Sequence, residues 1–210
     1  MDFSLSEEQR MFQDMFRDVA ANEIAPRAEE LDRHEKPPLA ALRTMAGLDL
    51  RGLTLPEQYG GMNAGWLAYG LLMEEVGKAC LSTAVALNAH TAAASLIAAS
   101  ASDEQKRRLL PPLAKGEQIA APAVAEPDAG SDLTAIAAQA RAQDDGYTLN
   151  GRKCFVINGD VADLMIVLAK DADGALAAFA VPRQTPGLTI GWRNRQMGQR
   201  GAAGCTRCFD

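Results

Sequence analysis

The sequence predicts an α+β protein, with an all-α helical domain over residues 1–116 followed by a β domain over residues 117–210. Two observations predict it. Apolar residues recur at helical spacing through the first half, and short apolar runs bounded by turn residues fill the second. The two kinds of segment do not alternate, which argues against a parallel α/β sheet and places the boundary near Gly116. The chain has 210 residues, 48% of them hydrophobic, enough to bury a sizeable core.

In the first half, Ser6-Glu7-Glu8-Gln9 reads as a capping box. Its Ser accepts from the third helical N–H, and Gln9 reaches back. Phe12, Met15, Phe16 and Val19 then form one buried face. Pro26 lacks an N–H and is expected to kink or end this helix. A short helix is expected over 39–46, stopped by Gly47. Leu55-Pro56-Glu57-Gln58-Tyr59-Gly60-Gly61 reads as a loop whose glycines permit left-handed angles. Helices are expected over 66–78 and, rich in alanine and closely packed, over 82–99. Glu74-Glu75 reads as an exposed face or a charge pair for Lys78. Ser102-Asp103-Glu104-Gln105 is a second capping box, opening a helix that meets Pro111-Pro112 and ends by Gly116.

In the second half, strands are expected over 122–126, 135–142, 147–149, 153–157, 164–169 and 176–181. Asp144-Asp145-Gly146 and Asn150-Gly151 read as hairpin turns. Asn158-Gly159 and Pro186-Gly187 punctuate the rest.

A formal charge of −6 with no basic run argues against nucleic-acid binding. Cys205 and Cys208 form a lone C-x-x-C. A zinc site needs four ligands, and His34 and His90 are distant, so the cysteines are read as ordinary strand residues and no metal is expected. The start, Met1-Asp2-Phe3-Ser4-Leu5, has no signal-peptide pattern. No stretch reads as a membrane span, because polar residues from Asn88 to Ser100 interrupt the Ala-rich segment. A reducing, cytoplasmic setting is the expectation.

The densest signal is Glu126-Pro127-Asp128-Ala129-Gly130-Ser131-Asp132. Its residues alone fit either an ordinary surface turn or a turn whose Ser131 and backbone N–H groups hold an anion. The segment resembles the signature of the acyl-CoA dehydrogenase family. Six further segments resemble that family in its own order: Glu23-Ile24-Ala25-Pro26, the Pro56-Glu57-x-Tyr59-Gly60-Gly61 loop, Ser102-Asp103-Glu104-Gln105 through Gly116-Glu117, Leu149-Asn150-Gly151-x-Lys153-x-Phe155-Val156-Ile157-Asn158-Gly159, Thr185-Pro186-Gly187-Leu188, and Met197-Gly198-x-Arg200-Gly201.

The resemblance implies a helical domain, then an antiparallel β-barrel-like domain, without the family's C-terminal four-helix domain. It implies FAD as cofactor, an acyl-CoA thioester as substrate and α,β-dehydrogenation as reaction, in fatty acid metabolism. Val124 and Ala125 are then expected along the flavin, with Ser131 at its pyrophosphate and at the thioester. Phe155 is expected over the ring, and Val156 and Ile157 at its reactive edge. Read without the family, residues 155–157 are equally a core strand. The family has Thr at the positions of Ala125 and Ile157, so two flavin-facing hydroxyls are missing here. It places the catalytic glutamate, the adenine contacts and the main oligomer interface in the helical domain that this sequence does not include. The sequence stops at Phe209-Asp210, read as mid-strand. Glu126, Asp128 and Asp132 are read as solvated or capping groups on a turn, so no catalytic residue is assigned. An electron-transferring flavoprotein is the implied electron acceptor, and a homo-oligomer or a partner chain is expected to supply the helices. The alternatives are an inactive truncated or partner subunit, and a flavin-dependent monooxygenase relative.

Overall fold

The computed structural model describes residues 4–144 and 146–209. Contacts divide the chain into two units. One comprises residues up to Glu117 together with Met197–Ala202, and the other comprises Gln118–Gln196 together with the residues from Ala203 onward.

The helical unit begins with α1, Glu7–Val19, behind the Ser6 capping box. Phe16 is fully buried and stacks on Phe12 at 5.7 Å, whereas Met15, expected inward, is 40% exposed. The Pro26 expectation is met in an unexpected way. The chain widens into a single π-helical turn, Ala20–Ile24, and resumes as α2, Ala25–His34, with the proline in its first turn, where its missing N–H costs nothing. α3, Leu39–Gly47, runs through its expected stop, and the left-handed residue is Asp49 instead. In the following loop Gly60 has φ +83°, and a Cβ on Gly61 would lie 2.1 Å from the Leu55 carbonyl. One glycine there serves a turn and the other a close approach.

α4, Gly65–Ala79, and α5, Leu81–Ser100, form the centre of this unit. Lys78 pairs with Glu74 at 2.7 Å and Glu75 at 3.2 Å, but Glu75 is buried, not on an exposed face, and also meets Arg17 at 3.4 Å. By length and composition α5 could cross a membrane. However, 61% of its most apolar stretch is covered within the helical unit, as befits a core helix. α6, Asp103–Ala114, opens on the Ser102 capping box and carries Pro111 and Pro112 inside its last turns. The segment Met197–Ala202 belongs to this unit. Arg200 pairs with Glu35 at 2.5 Å, and its N–H donates to Asp32 at 3.2 Å.

The β unit holds β1 (Ala120–Ala123), β2 (Gln139–Gln143), β3 (Gly146–Val156), β4 (Leu164–Lys170), β5 (Leu176–Pro182), β6 (Leu188–Arg193) and β7 (Cys205–Phe209). The sheet runs β1-β4-β2-β3-β7-β6, with β5 also on β4, and curls into a half-barrel. It is mixed, not purely antiparallel: β1 lies parallel to β4 over four residue pairs. Ala121, Ala123, Val156, Met165, Val167 and Phe209 share its core.

Three expectations change here. Asn150-Gly151 is not a turn, because β3 continues through it, and Gly151 pairs with Phe209. Glycine is needed there because a Cβ would lie 2.6 Å from that of Ala138. β2 is shorter than expected, since a 3₁₀ turn, Leu133–Ala135, precedes it. β6, not anticipated, lies at the sheet's end with Ile190 and Trp192 exposed. The Asp144-Asp145-Gly146 hairpin is present in the β2–β3 register, although Asp145 lies outside the described residues, as do Met1-Asp2-Phe3 and Asp210. Cys205 and Cys208 are three apart on one strand and therefore project to opposite faces. All four cysteines are free.

Candidate functional site

After β1 the chain runs extended through Val124 and Ala125 and folds into a tight turn. Glu126 and Ala129 exchange backbone hydrogen bonds of 2.8 and 3.2 Å across it. Asp132 closes the far side by accepting from the Thr134 N–H at 2.9 Å and the Thr134 hydroxyl at 2.6 Å. It is the capping group expected, and those bonds hold its carboxyl below the usual range. Asp128 is exposed. Gly130 faces open space, with no close approach to explain it.

Glu126 is not the solvated turn carboxylate expected. It is only 9% exposed, and its oxygens accept from Lys153 Nζ at 2.6 Å and from the N–H groups of Ala137 and Ala138 at 2.7 and 3.1 Å. Burial alone would raise its carboxyl, but these bonds outweigh burial and hold it below the ordinary value. Lys153 is wholly buried and donates a second bond, of 2.9 Å, to the Val124 carbonyl. The Ala125 carbonyl accepts from the Cys154 N–H at 2.9 Å. Two motifs distant in sequence are thus sewn together by three bonds.

Just beyond Lys153 the β3–β7 register shifts by one residue. Phe155 occupies this bulge with φ +53°, a left-handed conformation that costs a non-glycine residue about 1–3 kcal/mol. Gly204 on the facing segment makes it possible, since a Cβ there would lie 2.8 Å from the Phe155 backbone. The bulge turns the Phe155 ring outward, leaving it 65% exposed.

The structure therefore brings Val124, Ala125 and Phe155 together. Ile157 follows, half-buried. The Val156 side chain does not join them: it is 1% exposed and packs in the sheet core, so only its backbone can face a ligand. The core-strand reading of residues 155–157 thus holds for Val156 alone. Ser131 is exposed on the turn that Glu126 anchors. Sequence reasoning missed Glu126 and Lys153 as partners. The available signal was opposite charge in the two motifs, acidic in the first and basic in the second.

An aromatic ring left exposed on a strained bulge, beside extended backbone, fits a flat, largely apolar ligand with polar edges, such as a flavin ring. Neither Ala125 nor Ile157 adds a hydroxyl, which leaves the polar edges to backbone groups.

This helical unit and half-barrel define the front two domains of an acyl-CoA dehydrogenase-type protein. Residues 6–117 match the family described as acyl-CoA dehydrogenase, N-terminal domain, and residues 121–210 match its middle domain. The chain is 39% identical to the probable acyl-CoA dehydrogenase YngJ of Bacillus subtilis, over 96% of this chain and 55% of that protein. A structure described as the electron transferring flavoprotein of Acidaminococcus fermentans superposes with TM-score 0.95 at 33% identity, over 100% of this chain and 57% of that one. Another, an acyl-CoA dehydrogenase complexed with FAD from Bacillus anthracis, gives 0.91 at 30% identity, over 99% and 36%. The chain belongs to the acyl-CoA dehydrogenase family. It spans about half the length of the curated relatives it matches.

Proposed function

We propose that this chain provides the helical and middle domains of an acyl-CoA dehydrogenase, and that its β unit forms part of the site for FAD and an acyl-CoA thioester. The observation that carries this reading is the bulged strand at Phe155, pinned against Val124 and Ala125 with its ring exposed. FAD, when bound, supplies the acceptor for the β-hydride in α,β-dehydrogenation. The chain's own residues bind and orient. Phe155 offers an aromatic face, backbone groups around Ala125 and Ile157 meet polar edges, and Ser131 offers an exposed hydroxyl to the pyrophosphate or thioester. None of the signature carboxylates is placed to take the α-proton. Glu126 is held ionised against Lys153, and Asp132 is committed to Thr134.

The reading includes an electron-transferring flavoprotein as acceptor, in line with the likeness to the electron transferring flavoprotein structure from Acidaminococcus fermentans. It also includes a further copy or a partner chain against the β unit, supported by Ile190 and Trp192, exposed on a strand at the sheet's end. Four free cysteines agree with a reducing, cytoplasmic setting. The missing hydroxyls at Ala125 and Ile157 favour, as second reading, a non-catalytic subunit. Titration with FAD separates the two. Protein that takes up FAD and turns yellow, with a flavin spectrum perturbed when an acyl-CoA is added, is expected. Colourless protein that cannot be reconstituted would leave only the second reading.

A further inference from the structure

We propose that Glu126 and Lys153 are positioning residues for the ligand-facing surface, an inference that rests on the function proposed above. Neither side chain reaches that surface: Lys153 is wholly buried and Glu126 nearly so. Together they fix three segments that do face it. Lys153 Nζ holds the backbone at Val124. The Glu126 carboxylate holds Ala137 and Ala138, where the loop bearing Ser131 returns to the sheet. Lys153 itself lies two residues before Phe155 and sets the strand from which the bulge departs.

Packing does part of this work, since Ala129, Ile136 and Ala138 of the loop are buried with Ala140 and Ala169, but one side of the loop is left open. A cavity of about 420 Å³ lies against the same loop, with Pro127 and Asp128, Ala137 and Ala138, and Gly151 and Arg152 among its walls. A loop packed on all sides would keep its place without the carboxylate. A loop bordered by this much open volume has room to shift once the carboxylate lets go. Glu126 closes the loop at both ends, through its backbone bridge to Ala129 and through its side chain. The pair therefore determines where Ser131 and the 124–125 backbone lie relative to Phe155.

The test uses the 210-residue chain and compares Lys153→Met with Val181→Ala, a buried position on β5, which pairs with β4 alone, and whose stability loss is matched by adjusting temperature. Two quantities are read: amide hydrogen exchange over residues 127–138, and FAD affinity from flavin fluorescence. Lys153→Met is expected to speed exchange in that loop and to weaken FAD binding, each by about tenfold or more, while Val181→Ala at equal stability moves neither. Equal exchange and equal affinity in the two variants would overturn the proposal. Should Lys153→Met not fold, Glu126→Gln, nearly isosteric, carries the same comparison. If the unmutated chain binds no FAD, the function proposed above fails on its own account, and the exchange arm still decides whether the pair positions the loop.

Discussion

The two units solve the problem of a buried cation differently. In the helical unit Arg51, 2% exposed, donates to the Gly116 carbonyl at 2.9 Å and meets His90 Nδ1 at 3.0 Å. A guanidinium can only donate, so that Nδ1 accepts and the imidazole is neutral. Burial, helped by the neighbouring positive charge, pushes His90 down to about 3. No carboxylate takes part in either contact. In the β unit Lys153 has a full counter-charge in Glu126, while its register partner Arg207, 1% exposed, donates to the Gly159 carbonyl, bonds the Cys205 side chain and has Nε without a partner among the described residues. The difference teaches that a buried charge is tolerated with neutral acceptors as well as with a counter-charge, even where one donor goes unmatched, as at Arg207 Nε.

The largest effect expected from breaking this comparison is at Lys153. Lys153→Met leaves the Glu126 carboxylate buried without its cation and should cost about 3–5 kcal/mol in urea unfolding. The double variant with Glu126→Gln should recover part of that loss. A cost below about 1 kcal/mol would show that the pair is a surface-like bridge. Because the Glu126 carboxyl is depressed in the fold, the pair's stabilisation is present above the unfolded carboxyl range and is lost as pH falls through the folded value.

His90 sharpens the contrast through pH. The unfolded chain takes up a proton below about 6.5, but the folded chain refuses it down to about 3. Stability contributed here is therefore constant above pH 6.5 and falls as pH drops, with a slope approaching about 1.4 kcal/mol per pH unit. Urea midpoints between pH 6.5 and 5 should drift downward in the unmutated chain and less so in His90→Gln. Parallel drifts in the two proteins would count against a neutral buried His90.

Arg207 offers an effect of opposite sign. Arg207→Leu replaces a guanidinium with an unsatisfied donor by an apolar side chain and should raise stability by about 1–4 kcal/mol. A destabilised Arg207→Leu protein, measured by thermal unfolding, would mean that the Gly159 contact outweighs burial of the charge. The smallest effect belongs to a device at the surface: Ser102→Ala removes the α6 capping box at a cost of about 1 kcal/mol.

Much of this was legible in the residues. Both capping boxes appear as read, because capping depends on residues three apart and on nothing further away. The same holds for the change from helical to strand periodicity near Gly116. Errors arose wherever a local signal served a distant contact. Asn150-Gly151 has turn composition, but Gly151 is there because Ala138 on the neighbouring strand leaves no room for a Cβ. Val156 and Phe155 are adjacent, so the pleat sends them to opposite faces, and the register shift against β7 decides that Val156 is the one turned inward. β6 went unread because its residues are mostly exposed and carry no clear alternation.

The sequence by itself determined the order of elements, their caps and the family motifs, because these rest on neighbouring residues. Only the tertiary structure decided that Glu126 meets Lys153, 27 positions away. It also decided that Phe155 stands exposed on a bulge and that β1 joins β4 in parallel. Those outcomes depend on which strands become neighbours and on the desolvation that follows, and neither quantity is local to any stretch of chain.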